Sequence, residues 1–85
     1  MRILYMHPVF DDRGRNQCIA TIDIELNEHV RLYGLRLLKM EDGRHLVFSP
    51  QSGKRRTATF SPELSQEITD MAIQRLDALE RLHAA

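Results

Sequence analysis

The chain is short of most of the devices that small proteins use to hold themselves together. Its 85 residues include a single cysteine, Cys18, so no intramolecular disulfide can form. Cys18 stands among Ile19, Ala20 and Ile22, the setting of a buried, reduced thiol rather than of a nucleophile, and it fits a reducing compartment. The four histidines, His7, His29, His45 and His83, lack the close spacing of metal ligands, so neither a structural zinc nor any cofactor is expected. The four glycines, Gly14, Gly34, Gly43 and Gly53, are too scattered to build a phosphate-cradling loop. No apolar run approaches the ~20 residues of a membrane span. The first residues also lack the basic region, apolar stretch and cleavage site of a signal peptide, so the sequence predicts a cytoplasmic protein with no membrane partner. Repeats and low-complexity tracts are absent, and the formal charge is zero, twelve basic against twelve acidic residues, which gives no bulk support to a nucleic-acid partner.

What remains is a short chain that has to fold on hydrophobic patterning alone. A chain of this length reads as one domain, residues 1–85, burying about 60 to 65 percent of its unfolded surface, so its core is thin. With disulfides and zinc excluded, oligomerisation is the supplement left to it. Charge is also unevenly spread. Residues 1–60 carry ten basic and seven acidic side chains, whereas residues 61–85 carry two basic and five acidic ones. The first region is basic and the last acidic.

The pattern predicts an α+β fold: a curled antiparallel sheet of about five short strands followed by one C-terminal helix. Ile3-Leu4-Tyr5-Met6 is strand-like, and Pro8, with no amide hydrogen, places it at an edge. Asp11-Asp12-Arg13-Gly14 reads as the turn that pairs it with the next strand. From Cys18 to Leu26, apolar Cys18, Ala20, Ile22, Ile24 and Leu26 alternate with their neighbours at a period of two. Val30 to Met40 continues as a strand whose alternation changes phase near Gly34, which fits a bulge. Asp42-Gly43 is a hairpin turn, His45-Leu46-Val47-Phe48 returns, and Ser49 to Arg56 is a polar loop ending in Lys54-Arg55-Arg56. Thr57-Ala58-Thr59-Phe60 is read as a final short strand. Ser61-Pro62-Glu63 has the chemistry of a helix start, and Leu64, Ile68, Met71, Ala72, Leu76 and Leu79 form one face of a helix running to about Leu82. Ile73 and Leu82 widen that face beyond what a small sheet covers, a second pointer to a partner subunit.

Chemistry is harder to find. No nucleophile with its base, no carboxylate pair and no metal cluster can be assembled, so no enzyme is predicted; His45 is a lone histidine, and the acidic pairs Asp11-Asp12 and Glu41-Asp42 are turn residues. Lys54, Arg55 and Arg56 suit phosphate contacts from an exposed segment, with Arg13 and Arg15 as possible additions. The same run also suits a solvated loop that keeps a small sheet soluble, and on composition that reading comes first. The five aromatics, Tyr5, Phe10, Tyr33, Phe48 and Phe60, follow no RNA-stacking pattern and read mostly as core.

Three stretches resemble a known family. Gly14-Arg15-Asn16-Gln17-Cys18-Ile19-Ala20-Thr21-Ile22 is similar to the "G-R-x-x-A-I-A-S-I" strand of the SpoVG (stage V sporulation protein G, septation regulator) family. Leu35-Arg36-Leu37-Leu38 followed by Gly43 resembles its "I-R-V-I-x-G", and Leu46-Val47-Phe48-Ser49-Pro50 with Lys54-Arg55-Arg56 resembles its "L-F-V-A-M-P-S-K-R". The helix after a proline also matches. The resemblance covers residues 13–80, with Ser49 where the family has methionine, a shorter hairpin after the first strand, and an abbreviated polar segment before the helix. It implies a small homodimer, built by strand exchange or edge pairing, that binds DNA or RNA and regulates without catalysis. The matching positions for nucleic-acid binding are Arg36, Lys54, Arg55 and Arg56, and the resemblance shifts the balance for the basic segment toward phosphate binding. The alternative expectation is a protein-interaction or assembly module that oligomerises through a sheet edge and the helix face without binding nucleic acid.

Overall fold

The computed structural model describes residues 1–9 and 17–84 and shows an α+β fold. The main sheet consists of β1 (Arg2–Pro8), β2 (Gln17–Glu25), β3 (Arg31–Lys39) and β4 (His45–Phe48), antiparallel throughout and in sequence order. A separate two-stranded ribbon, β5 (Gln51–Ser52) with β6 (Arg55–Arg56), precedes the helix α1 (Pro62–Ala84). Among the described residues no helix is long and apolar enough to cross a membrane.

One face of the sheet is closed by the helix. Alternation in β2 turns Ala20, Ile22 and Ile24 inward, where they are fully buried with Leu35, Leu37 and Val47 from the neighbouring strands and Ile68 and Ala72 from α1. Leu64, Met71, Leu76 and Phe60 pack around this cluster. The helix touches both edge strands, β1 and β4.

The strand pairing is interrupted at three places. Leu4 is an extra residue in β1 opposite Ile24 and Asp23, and Ile19 is extra in β2 opposite Leu38 and Leu37. The third irregularity is the one expected at Gly34: Ile22 and Ile24 face Leu35 and Leu32, so Tyr33 and Gly34 together oppose Asp23. Gly34 sits at φ 69°, a left-handed conformation that glycine adopts without steric penalty, and its amide donates to Asp23 Oδ1 at 2.8 Å. The bulge resets the phase of β3 so that Leu32 and Leu35 both turn toward the core side.

The predicted turns and caps hold where they are described. Gly43 takes φ 92° between β3 and β4, the Gly43 amide donates to the Met40 carbonyl at 2.9 Å, and the Arg44 amide donates to Asp42 Oδ1. Backbone and side-chain hydrogen bonds from Arg44 lower the Asp42 pKa below its usual value. Ser61 caps the helix, its Oγ accepting from the Leu64 amide at 3.2 Å. The turn expected at Asp11 to Gly14 lies outside the described residues, as do Phe10, Arg13 and Arg15.

Two readings are corrected. Thr57-Ala58-Thr59-Phe60 is not a strand; the short strand lies just before it, at Arg55–Arg56, and pairs locally with Gln51–Ser52 instead of joining the main sheet. The supposed loop is therefore a tight hairpin, and β-branched content in residues 57–60 misled because Thr57 uses its hydroxyl for a local bond. The aromatics are also less buried than expected. Tyr5 and Tyr33 are each 60% exposed and Phe48 is 36% exposed, leaving Phe60 as the described aromatic that packs on the core.

Candidate nucleic-acid interface

The hairpin owes its shape to three residues. Gly53, at φ 63°, and Lys54 form a two-residue turn between Ser52 and Arg55, the glycine-first pattern that matches strand twist in a type II′ turn. Beyond Gln51 the backbone ladder cannot continue, because Pro50 has no amide hydrogen. Two hydroxyls take over: Thr57 Oγ1 donates to the Pro50 carbonyl at 2.6 Å, and Ser49 Oγ donates to the Ala58 carbonyl at 2.7 Å. These bonds link the ribbon's two arms back to the end of β4.

Between this ribbon, β4 and the first turns of α1 lies an open groove of about 520 Å³. Arg36, Phe48 and Ser49 form one wall; Arg56, Thr59 and Phe60 form another; Pro62, Ser65 and Gln66 of the helix close the end. Its size falls within the range of small-ligand sites. Arg36 and Phe48 are cross-strand partners, so their side chains leave the sheet on the same side.

The structure thus brings together two of the four predicted residues, Arg36 and Arg56, in one groove. Lys54 and Arg55 are exposed on the same hairpin but do not line it. Arg36 is half-buried, and its Nε is fully buried without a hydrogen-bond partner among the described residues. Such an unsatisfied donor is rare in folded proteins and calls for an explanation. Three other arginines differ, Arg2 and Arg31 pairing with Glu25 at 3.1 and 3.8 Å and Arg44 with Asp42 at 2.7 Å, whereas Arg75 and Arg81 on the helix form no ion pair among the described residues. Arg36, Lys54, Arg55 and Arg56 take part in no ion pair among the described residues.

Three contributors were not singled out from the sequence as part of a site. Phe48 and Phe60 both line the groove, Phe48 from the far end of β4 and Phe60 from the segment before the helix. The third is Thr69, which builds the groove without lining it. Its buried Oγ1 accepts from the Val47 amide at 3.1 Å and donates to the Ser65 carbonyl at 2.7 Å, pinning the start of α1 to the outer edge of β4. The available signal was a threonine between Ile68 and Ala72 on the apolar face of the helix.

No family model matches the chain, and neither a curated protein nor a solved structure matches it.

Proposed function

We propose that this protein is a non-catalytic, nucleic-acid-binding regulator resembling the SpoVG family, acting as a homodimer, with Arg36, Lys54, Arg55 and Arg56 contacting phosphates. The observation that carries the reading is the set of unpaired cations. Arg56 shares a groove with Arg36, Lys54 and Arg55 are exposed on the same hairpin, and none of the four forms an ion pair among the described residues, whereas Arg2 and Arg31 share Glu25 and Arg44 pairs with Asp42. Cations without ion-pair partners among the described residues, carried on an exposed ribbon, are suited to displace counterions from a phosphate backbone. A two-fold dimer would present each basic hairpin twice.

The test is fluorescence anisotropy with labelled duplex DNA, single-stranded DNA and RNA across a salt series. Replacing Lys54, Arg55 and Arg56 together with alanine is expected to leave the fold and oligomeric state intact. It should weaken binding and flatten the salt dependence, by roughly 0.7 to 0.9 in log–log slope for each phosphate left unneutralised. Unchanged affinity in the triple variant would refute the assigned surface.

A second reading has its own observation. The edge strand β1 exposes Leu4 and Tyr5, with Tyr5 stacked on His7 at 6.2 Å, and Leu82 on the helix is 75% exposed. These surfaces suit an assembly module joined through the sheet edge and helix face. That reading expects a partner or self-association that survives high salt and no nucleic-acid binding at physiological salt.

A further inference from the structure

We infer that the groove is a nucleotide pocket selecting single-stranded over duplex nucleic acid: one unpaired base lies against Phe48 and Phe60 while its phosphate is held by Arg36 and Arg56. The inference rests on the nucleic-acid reading above and specifies which strand the surface takes and how.

The groove combines two features that a purely electrostatic phosphate surface does not need. One is aromatic. Phe48 and Phe60 line it together, and Phe48 keeps 36% of its surface exposed, an apolar face held open at the edge of a small sheet. The other is Arg36, a half-buried lining residue that forms no ion pair among the described residues and whose Nε is buried without a hydrogen-bond partner among them. Aromatic faces bind bases by stacking, which every base supports and which gives little sequence preference. In a duplex both faces of each base are already covered by neighbours, so the phenyl rings find no partner and only phosphates remain within reach. In a single strand a base can turn out of the stack, and an adjacent phosphate then lies near the guanidinium groups. The volume of about 520 Å³ accommodates one nucleotide rather than a helical segment. Ser49, Thr59 and Gln66 supply polar atoms around the same space, so an entering base edge is not confined to apolar walls.

The test compares anisotropy titrations with a labelled single-stranded oligonucleotide, as oligo-dT and as oligo-U, and with a duplex of the same length. Wild-type protein, Phe48→Ala, Phe48→Tyr and the triple alanine variant of Lys54, Arg55 and Arg56 are measured side by side, with thermal melting to confirm folding. Phe48→Ala is expected to lower single-strand affinity about ten-fold or more, to leave duplex affinity and the salt slope unchanged, and to be rescued by Phe48→Tyr. The triple variant is expected to weaken both ligands. A wild-type protein that binds duplex as tightly as single strands, or a folded Phe48→Ala variant with unaltered single-strand affinity, would overturn the pocket while leaving the nucleic-acid reading standing. Absence of binding to every ligand at low salt would overturn both. Equal results with oligo-dT and oligo-U would support stacking plus phosphate capture; a strict requirement for ribose would overturn it, since the pocket as described reads no 2′-hydroxyl.

Discussion

The middle of helix α1 and its first turns are built from opposite materials. Ile68 and Ala72 disappear completely into a cluster with Ala20, Ile22, Ile24, Leu35, Leu37 and Val47. A short distance earlier, Pro62, Ser65 and Gln66 face a groove whose other walls carry Arg36, Arg56, Phe48 and Phe60. Thr69 stands at the junction, buried and doubly hydrogen-bonded. The contrast separates the part of this small chain that holds the fold from the part in which a binding site is proposed. The apolar seam holds the fold together, and the polar end keeps Arg36 and Arg56 out of ion pairs among the described residues and leaves Phe48 partly exposed. Substitutions in the seam should act on unfolding, and substitutions in the groove on binding.

The largest effect should follow from hollowing the seam. Leu37→Ala removes a fully buried side chain at the centre of the sheet and is expected to destabilise the protein by about 2 to 5 kcal/mol. For a domain this small that approaches the whole stability, and urea denaturation would show the midpoint moving toward zero denaturant. A loss well below 1 kcal/mol would mean that the seam repacks and that the separation between the two regions is weaker than described.

Thr69 tests the junction. Thr69→Val keeps the shape but leaves the Val47 amide buried without an acceptor, with an expected loss of about 1 to 3 kcal/mol. Thr69→Ser, which restores the hydroxyl, should recover much of it. If valine is neutral, the first turns of α1 are held by packing alone, and the groove does not depend on this bond.

Gly34→Ala should be milder, about 1 to 2 kcal/mol, because a side chain in the left-handed region is strained whatever the space around it. Space is not limiting: the nearest atom to an added Cβ would be Pro50 Cγ at 4.0 Å, an ordinary contact. A much larger loss would indicate that the bulge, and with it the phase of β3 and the placement of Arg36, had collapsed.

The smallest effect is expected at the exposed turn. The Asp42 pKa is depressed in the folded state, so its contribution is present above the unfolded carboxylate pKa and is lost as pH falls through the lower folded value. Asp42→Asn should therefore melt slightly below wild type at neutral pH, with the two curves converging once pH falls below the lowered folded-state pKa. A difference that persists in acid would assign the effect to turn geometry instead of charge.

Much of the seam was legible in the chain. The near-pure alternation from Cys18 to Leu26 identified β2 and its inward residues Ala20, Ile22 and Ile24, since a strand buried on one face repeats every second position. Gly34 marked the bulge because the phase of Leu32 and Leu35 cannot be reconciled without an extra residue. Asp42-Gly43 and Ser61-Pro62 announced their turn and helix start by local chemistry that requires no distant partner. The final short strand was displaced because Gly53-Lys54 makes a local hairpin, and a two-residue turn closes more readily than a strand can return to a distant sheet edge.

The candidate site was half legible. Arg36 and the basic run stood out by charge and by family resemblance, but the aromatic lining did not, since Phe48 occupies a strand end where either burial or exposure fits the pattern. The sequence by itself determined the order of the four main strands and the helix, the inward face of the sheet and helix, and the exposed basic segment, because each follows from periodicity or from interactions within a few residues. Only the tertiary structure decided that Arg36, Arg56, Phe48 and Phe60 share one groove and that Thr69 ties α1 to β4. Periodicity tells which side of an element faces the core, whereas the neighbours on its other side are set by how three separate segments pack together.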